Sequence, residues 1–409
     1  MRLPEILKRT VITIGSGGVG KTTVSAALAL HAALEGARSL VLTVDPARRL
    51  ANSLGLESFS EEQRRIDLAP MRGQGRNAQG ALDAAMLDTK STFDRIIARY
   101  APSPEVRDRI LKNPYYRQAS STLAGSEDYM AMERLHEIRE DHENGYDFVV
   151  LDTPPSSHAL DFLRAPARLL GAMDNRNVRA FVSSMGAVGR TGRVGGRMNR
   201  FLVKRVGRFL GAEVFLQILA FLDSFSSMYD GFAERSRSVE SFLRSDELAF
   251  LIVTAPERSA LEEALFLRTT LEQNGMPFGA FVVNRVHLPY LPEDDGEGAR
   301  NATSLTDQRL EQHFAHALSQ STSQVTEERA RQIAARVVAR RRDMHALVER
   351  DRANLDLLRA EVGDEHILLV PHFPEDIHDL HGLRRFARVL MAAARPRPAG
   401  VVEQPGQIE

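Results

Sequence analysis

Short apolar runs recur along the chain at wide intervals. Thr10–Ile14 (TVITI) is β-branched and leads straight into a glycine-rich loop. Residues 39–44 (SLVLTV), 148–151 (FVVL), 250–254 (FLIVT), 280–283 (AFVV) and 367–370 (ILLV) have similar length and character, each bounded by a turn or a charged residue. Runs this short and this continuously apolar read as strands buried on both faces. Between them the spacing is helical: residues 22–34 are rich in Ala and Leu, and residues 82–100 and 126–140 have helix-like periodicity. Strands alternating with helices predict an α/β fold, with a mostly parallel sheet flanked by helices.

Three intervals interrupt that alternation. Residues 57–145, 165–245 and 288–360 read as helical insertions within one domain of residues 1–394, together an inserted helical subdomain. Residues 167–242 form the longest stretch without a strand signal, and residues 175–210 within it carry nine basic residues and no acidic one. Residues 201–232 then place Leu202, Val206, Phe209, Phe215, Leu219 and Leu222 near helical spacing. Three readings stand: core helix beside a solvated loop, an apolar surface for a hydrophobic client, or instead a basic stretch facing anionic lipid. Phe and Leu outnumber Met173, Met185, Met198 and Met228 there, which suits a fixed core better than an adaptable surface. Aromatic residues do not interleave with the basic cluster before Phe201 except at Phe181, so no nucleic acid partner is expected. The Pro-rich tail, residues 395–409, reads as disordered.

Composition removes several function classes. The chain has 409 residues, a formal net charge of −1 and no cysteine. Disulfides, zinc–thiolate sites and thiol nucleophiles are therefore excluded. The longest notable charge-free apolar run, residues 214–222, is far short of the roughly 20 residues a membrane helix needs. The N-terminal residues lack a signal-peptide apolar core. The expectation is a cytoplasmic protein, with peripheral membrane association as an option. Only five of the 53 basic residues are lysines, a bias that fits genomic base composition.

One of those lysines lies in the chemically richest stretch. Residues 15–22 (GSGGVGKT) match G-x-x-x-x-G-K-[ST], the phosphate-binding loop. Glycines let backbone N–H groups converge on phosphate oxygens, and the following helix N-terminus adds positive potential. Gly15, Ser16, Gly17, Gly18, Val19, Gly20 and Thr23 are candidate nucleotide contacts. Lys21 can bridge the β- and γ-phosphates of ATP, and the Thr22 hydroxyl can ligate Mg²⁺. Asp152 follows the apolar run 148–151, where a magnesium-holding carboxylate belongs. Asp45 also ends a strand. It can orient or deprotonate an attacking water, or simply cap a turn before Pro46, and the residues alone leave these readings even.

The motifs GSGGVGKTT, VDPARRL, LDTPPSSHALDFL, VVNRV (residues 282–286) and VPHFPEDIHDL (residues 370–380), in that order, resemble the ArsA family of P-loop ATPases. That family includes the arsenite-pump ATPase and the ATPase that delivers tail-anchored membrane proteins. The resemblance covers residues 10–385. It implies magnesium-dependent ATP hydrolysis by a dimer that closes over nucleotide and moves its helical part. It implies Asp45 as the water-activating switch residue, Asp152 as the Walker B carboxylate, Asn284 as the reader of adenine, and Pro371 with His372 as the loop over the base. His372, His378, His381, Asp376 and Asp379 could be read as a loose metal cluster, but the same stretch matches that base-side loop.

The departures are as informative. Without cysteine there is no arsenite-binding site of the family's kind and no zinc clasp between subunits. The family's loop is similar to G-K-G-G-x-G-K-[ST], whose first lysine acts across a dimer, and Ser16 stands in its place. Four readings follow: a slow homodimer, substitution by Arg48 or Arg49, a heterodimer with a paralogue that keeps the lysine, or neutral drift in a slow switch. The heterodimer is favoured. The partner classes expected are therefore a second ATPase subunit and a hydrophobic client or membrane protein. The alternatives are an anion-transport system energised by this chain, and a slow nucleotide switch.

Overall fold

The computed structural model describes residues 8–44, 50, 54, 63–71, 80–114, 116, 117, 126–141, 145–154, 228–289, 307–321 and 326–394. The strands are β1 (Thr10–Ile14), β2 (Arg38–Thr43), β3 (Arg64–Ile66), β4 (Ala81–Met86), β5 (Phe148–Asp152), β6 (Leu248–Thr254), β7 (Phe278–Val286) and β8 (Ile367–Pro371). They form one eight-stranded sheet in the order β3-β4-β2-β5-β1-β6-β7-β8. Every pairing is parallel except that of the edge strand β3 with β4. The described helices are α1 (Lys21–Leu34), α2 (Thr89–Tyr100), α3 (Pro104–Lys112), α4 (Ser126–Glu140), α5 (Tyr229–Leu243), α6 (Arg258–Gln273), α7 (Asp307–Ser321), α8 (Glu327–Val362) and α9 (Leu380–Ala393).

The period-2 geometry of β1 sends Val11 to one face and Ile12 and Ile14 to the other, so the sheet separates two cores. On one side α1 and α9 cover Val11, Val150, Val253 and Val282 with Leu28, Phe386 and Leu390. On the other side Leu135 of α4, Val239 of α5, Leu271 of α6 and Leu355 of α8 cover Ile12, Leu151 and Phe281. Fully burying such side chains is worth about 1.5–3 kcal/mol each. Both faces of the central strands are thus filled, which leaves the carboxyl ends of the strands as the usual place for a ligand in such a sheet.

Two strands depart from the sequence reading. Residues 82–100 were expected to be a single helix, yet Ala81–Met86 is strand β4 and helix begins only at Thr89. ALDAAM is rich in Ala and reads locally as helix. Pairing with β2 on one side, and a place for Leu82 and Ala84 in the core, override that propensity. Asp88 then caps α2, its carboxylate accepting from Ser91 N at 2.9 Å. The short β3 (RRI) carried no strand signal; Arg65 pairs from it with the buried Asp83 of β4. The expected helix in residues 288–360 is present as the hairpin α7–α8, while residues 155–227, which hold the basic stretch and most of the apolar periodicity, lie outside the described residues.

A buried ionic network joins α4 to α5. Arg235 donates to Glu133 Oε1 at 2.7 Å and Glu140 Oε2 at 2.6 Å, with Arg235 and Glu133 side chains only 3% and 5% exposed. Tyr129 and Ser236 lie 3.0 Å apart, and His136 Nε2 and Ser238 Oγ 2.8 Å. Burial pushes Glu133 up; burial first, and the Arg235 charge second, push His136 down to about 4. Arg235→Ala leaves Glu133 buried without its countercharge. A loss of about 3–5 kcal/mol in unfolding free energy is expected, read from urea denaturation followed by circular dichroism. A loss below about 1 kcal/mol would mean the network is solvated.

Candidate functional site

The site is built where β1 ends and α1 begins. A Cβ at Gly15 would run into Val253 O, so the chain can pass the end of β6 only as glycine. Gly20 has φ 98°, a left-handed conformation, and a Cβ there would strike the Asn284 side chain. α1 carries no acidic residue of its own in its first turn, so its N-terminal N–H groups present positive potential to the loop. Lys21 is 7% exposed and folds back over the loop, donating to Gly15 O at 2.9 Å and Ser16 O at 2.8 Å.

Parallel pairing supplies the second half. The register sets Thr13 of β1 and Thr43 of β2 on either side of Asp152. Thr22 Oγ1 donates to Asp152 Oδ2 at 2.8 Å, and Thr43 Oγ1 to the same oxygen at 3.0 Å. Asp152 is fully buried. Thr13 Oγ1 lies 2.7 Å from Ser25 Oγ, and Thr153 Oγ1 donates to Thr13 O at 2.7 Å, so hydroxyls brace the strand ends. One carboxylate and two hydroxyls make an all-oxygen donor set, which suits a hard cation such as Mg²⁺. The loop, the helix N-terminus and Lys21 suit a polyphosphate. Thr13, Thr43 and Thr153 were missed from the sequence. Their signal was a threonine within two residues of the carboxyl end of an apolar run.

Asn284 of β7 reaches the loop from the other side. Its Nδ2 donates to Val19 O at 2.8 Å and its Oδ1 accepts from Arg285 N at 2.9 Å, where Arg285 takes φ 61°. Pro371 ends β8 opposite Val286, and His372 N donates to Val286 O at 2.9 Å. Gly15 to Thr22, Asp152 and Asn284 are thus one cluster at the carboxyl edge of the sheet, and Pro371 and His372 close the β8 side of the same edge. Asp45, Arg48 and Arg49 lie outside the described residues.

A family model described as Anion-transporting ATPase matches residues 8–327. The chain belongs to this ArsA ATPase family. The ATPase is 26% identical over 295 residues to the Aquifex aeolicus protein named "Putative arsenical pump-driving ATPase 2", covering 70% of this chain and 82% of that one. It is 24% identical over 306 residues to "ATPase GET3" of Kluyveromyces lactis, covering 72% and 76%. The family and these relatives make this chain an ATP-hydrolysing enzyme. Among the described residues of the ATPase, no helix is long and apolar enough to cross a membrane.

At Ser16 the ATPase has built a cis contact. Ser16 Oγ donates to Glu263 Oε2 of α6 at 2.7 Å. A cavity of about 350 Å³ opens beside this pair, lined by Gly18, Val19, Glu257 and Arg285 among others. The histidine-rich stretch after β8 is engaged otherwise: Asp379 caps α9 by accepting from Gly382 N at 2.7 Å, and His378 and Asp376 stand mostly exposed.

Proposed function

We propose that this ATPase binds ATP with Mg²⁺ at residues 15–23 and uses hydrolysis to close and reopen a dimer. The observation that carries the reading is the convergence of the Thr22 and Thr43 hydroxyls on Asp152 beside Lys21. The loop N–H groups and Lys21 hold the phosphates; Thr22 and Asp152 hold the cation, which would neutralise charge on the β- and γ-oxygens. Asp45 orients the attacking water, and Asn284, Pro371 and His372 surround the base. Ser16 leaves the loop without a cation to send across the dimer, which favours a heterodimer with a lysine-bearing paralogue over a homodimer.

The output of the cycle is movement of the helical part against a hydrophobic client or a membrane partner, from the cytoplasm. The relative named as pump-driving and the family described as anion-transporting support an energising role in anion transport as the alternative. The test is steady-state ATP hydrolysis with and without magnesium, with mass measured by light scattering with and without ATP. Turnover lost on chelation and an ATP-dependent rise in mass, alone or with the lysine-bearing partner, are expected. Turnover that survives chelation would sink the magnesium site. A protein that stays monomeric in ATP in both settings would sink the dimer cycle.

A further inference from the structure

The carboxyl end of β7 carries a second arrangement that the phosphate site does not use. His287 follows β7 directly. Its backbone N–H donates to Asp351 Oδ2 at 3.0 Å, and its Nδ1 lies 2.8 Å from the same oxygen. A carboxylate only accepts, so Nδ1 carries the proton and the ring is fixed in tautomer and direction. Asp351 is fully buried in α8, and Arg350 donates to its other oxygen through Nε at 3.1 Å and Nη2 at 2.8 Å. A buried carboxylate satisfied on both oxygens is a rigid anchor, because breaking any one contact leaves charge uncompensated.

The same turn of α8 holds a second loop. Asn354, three residues on and so on the same helix face, donates to Pro256 O at 2.8 Å, just after β6. α8 therefore ties down the chain after β6 and after β7 together. Upon the anchored His287 lies the ring of His372, with centroids 5.3 Å apart and planes 12° from parallel. His372 is exposed as a residue, and His287 is stacked against its ring. Asn284, three residues before His287, touches the phosphate loop.

We propose that His287, fixed by Asp351, is a positioning residue for the base of the bound nucleotide. It backs the His372 ring so that its outer side is a ready stacking surface for a purine. Free, an exposed imidazole would lose rotamer freedom on stacking; held against His287, it has already lost it. The inference rests on the reading of residues 15–23 as the phosphate site.

The experiment separates base from phosphate. Dissociation constants of MgATP and of magnesium tripolyphosphate, which lacks the nucleoside, are measured by calorimetry on the full chain. His287→Ala and His372→Ala are each expected to weaken ATP about 5- to 20-fold while tripolyphosphate stays within twofold, from the usual strength of base–ring stacking. His372→Phe should keep ATP affinity, since it keeps a ring. The double variant should be no worse than His372→Ala alone, because His287 acts through His372. Equal losses for both ligands, or additive losses in the double variant, would overturn the proposal. Lys21→Ala should weaken both ligands together; if it weakens neither, the phosphate-site reading has failed rather than this one. Unfolding midpoints of all variants show whether a loss is only one of folding.

Discussion

Replacing Lys21 with alanine is expected to lower ATP turnover by roughly 10²–10³-fold, the scale of removing one preorganised donor from a site where charge develops. The geometry explains why the loss is large. Lys21 is 7% exposed and its ammonium is bonded to the Gly15 and Ser16 carbonyls, so much of its cost of desolvation is met before a phosphate arrives. A phosphate replaces carbonyl acceptors rather than water. The geometry also explains why the loss is finite: the α1 N-terminus and the loop N–H groups remain, and they do not depend on the side chain. Lys21→Arg should not rescue. A planar fork cannot occupy a pocket that a compact ammonium fills between two carbonyls. Turnover by both variants, checked against unchanged circular dichroism, decides the point. Retained full activity in Lys21→Ala would remove residues 15–23 from the chemistry.

What the sequence made legible follows from how locally each feature is determined. The phosphate loop could be read because its chemistry demands particular residue types in an unbroken row, and the structure adds only why: Gly15 must pass Val253 and Gly20 must pass Asn284. β1, β2, β5, β6, β7 and β8 could be read because strands buried on both faces are continuously apolar. β4 could not, because its alanines prefer helix in isolation and become strand only through pairing with β2. The hydroxyls around Asp152 were hidden for a similar reason. Thr43 meets Asp152, 109 residues away, through the register between two strands, which no local pattern encodes. The contact of Ser16 with Glu263 spans 247 residues, and that of His287 with Asp351 spans 64. Such pairings are properties of the assembled sheet and its helices. They also bear on the most distinctive residue of the loop.

Introducing lysine at Ser16 is expected to do little alone and much when Glu263 is neutralised. The proposed trans cation is worth roughly 10³–10⁵ in rate where it acts. Ser16, however, already lies 2.7 Å from a carboxylate on its own chain. An ammonium placed there has an anion within reach before any partner approaches. At a partly buried position an ion pair about 4 Å apart is worth up to about 4 kcal/mol at an effective dielectric near 20, before desolvation is subtracted. That is enough to hold the lysine in cis. Ser16→Lys should therefore raise turnover less than about tenfold, whereas Ser16→Lys with Glu263→Gln should raise it by roughly 10² or more, toward the finger-type range. Glu263→Gln alone keeps an acceptor for the Ser16 hydroxyl and should leave loop geometry intact. Turnover of the four proteins, with mass measured in ATP, separates the outcomes. A full gain in Ser16→Lys alone would show that Glu263 does not capture the cation. No gain in the double variant would mean that the charge comes from elsewhere, from Arg48 or Arg49 in this chain or from a lysine-bearing partner, and adding that partner to wild type would distinguish the two. In the second case Ser16 and Glu263 together keep this subunit's loop electrically quiet, which is what a mixed pair with one fully competent site requires.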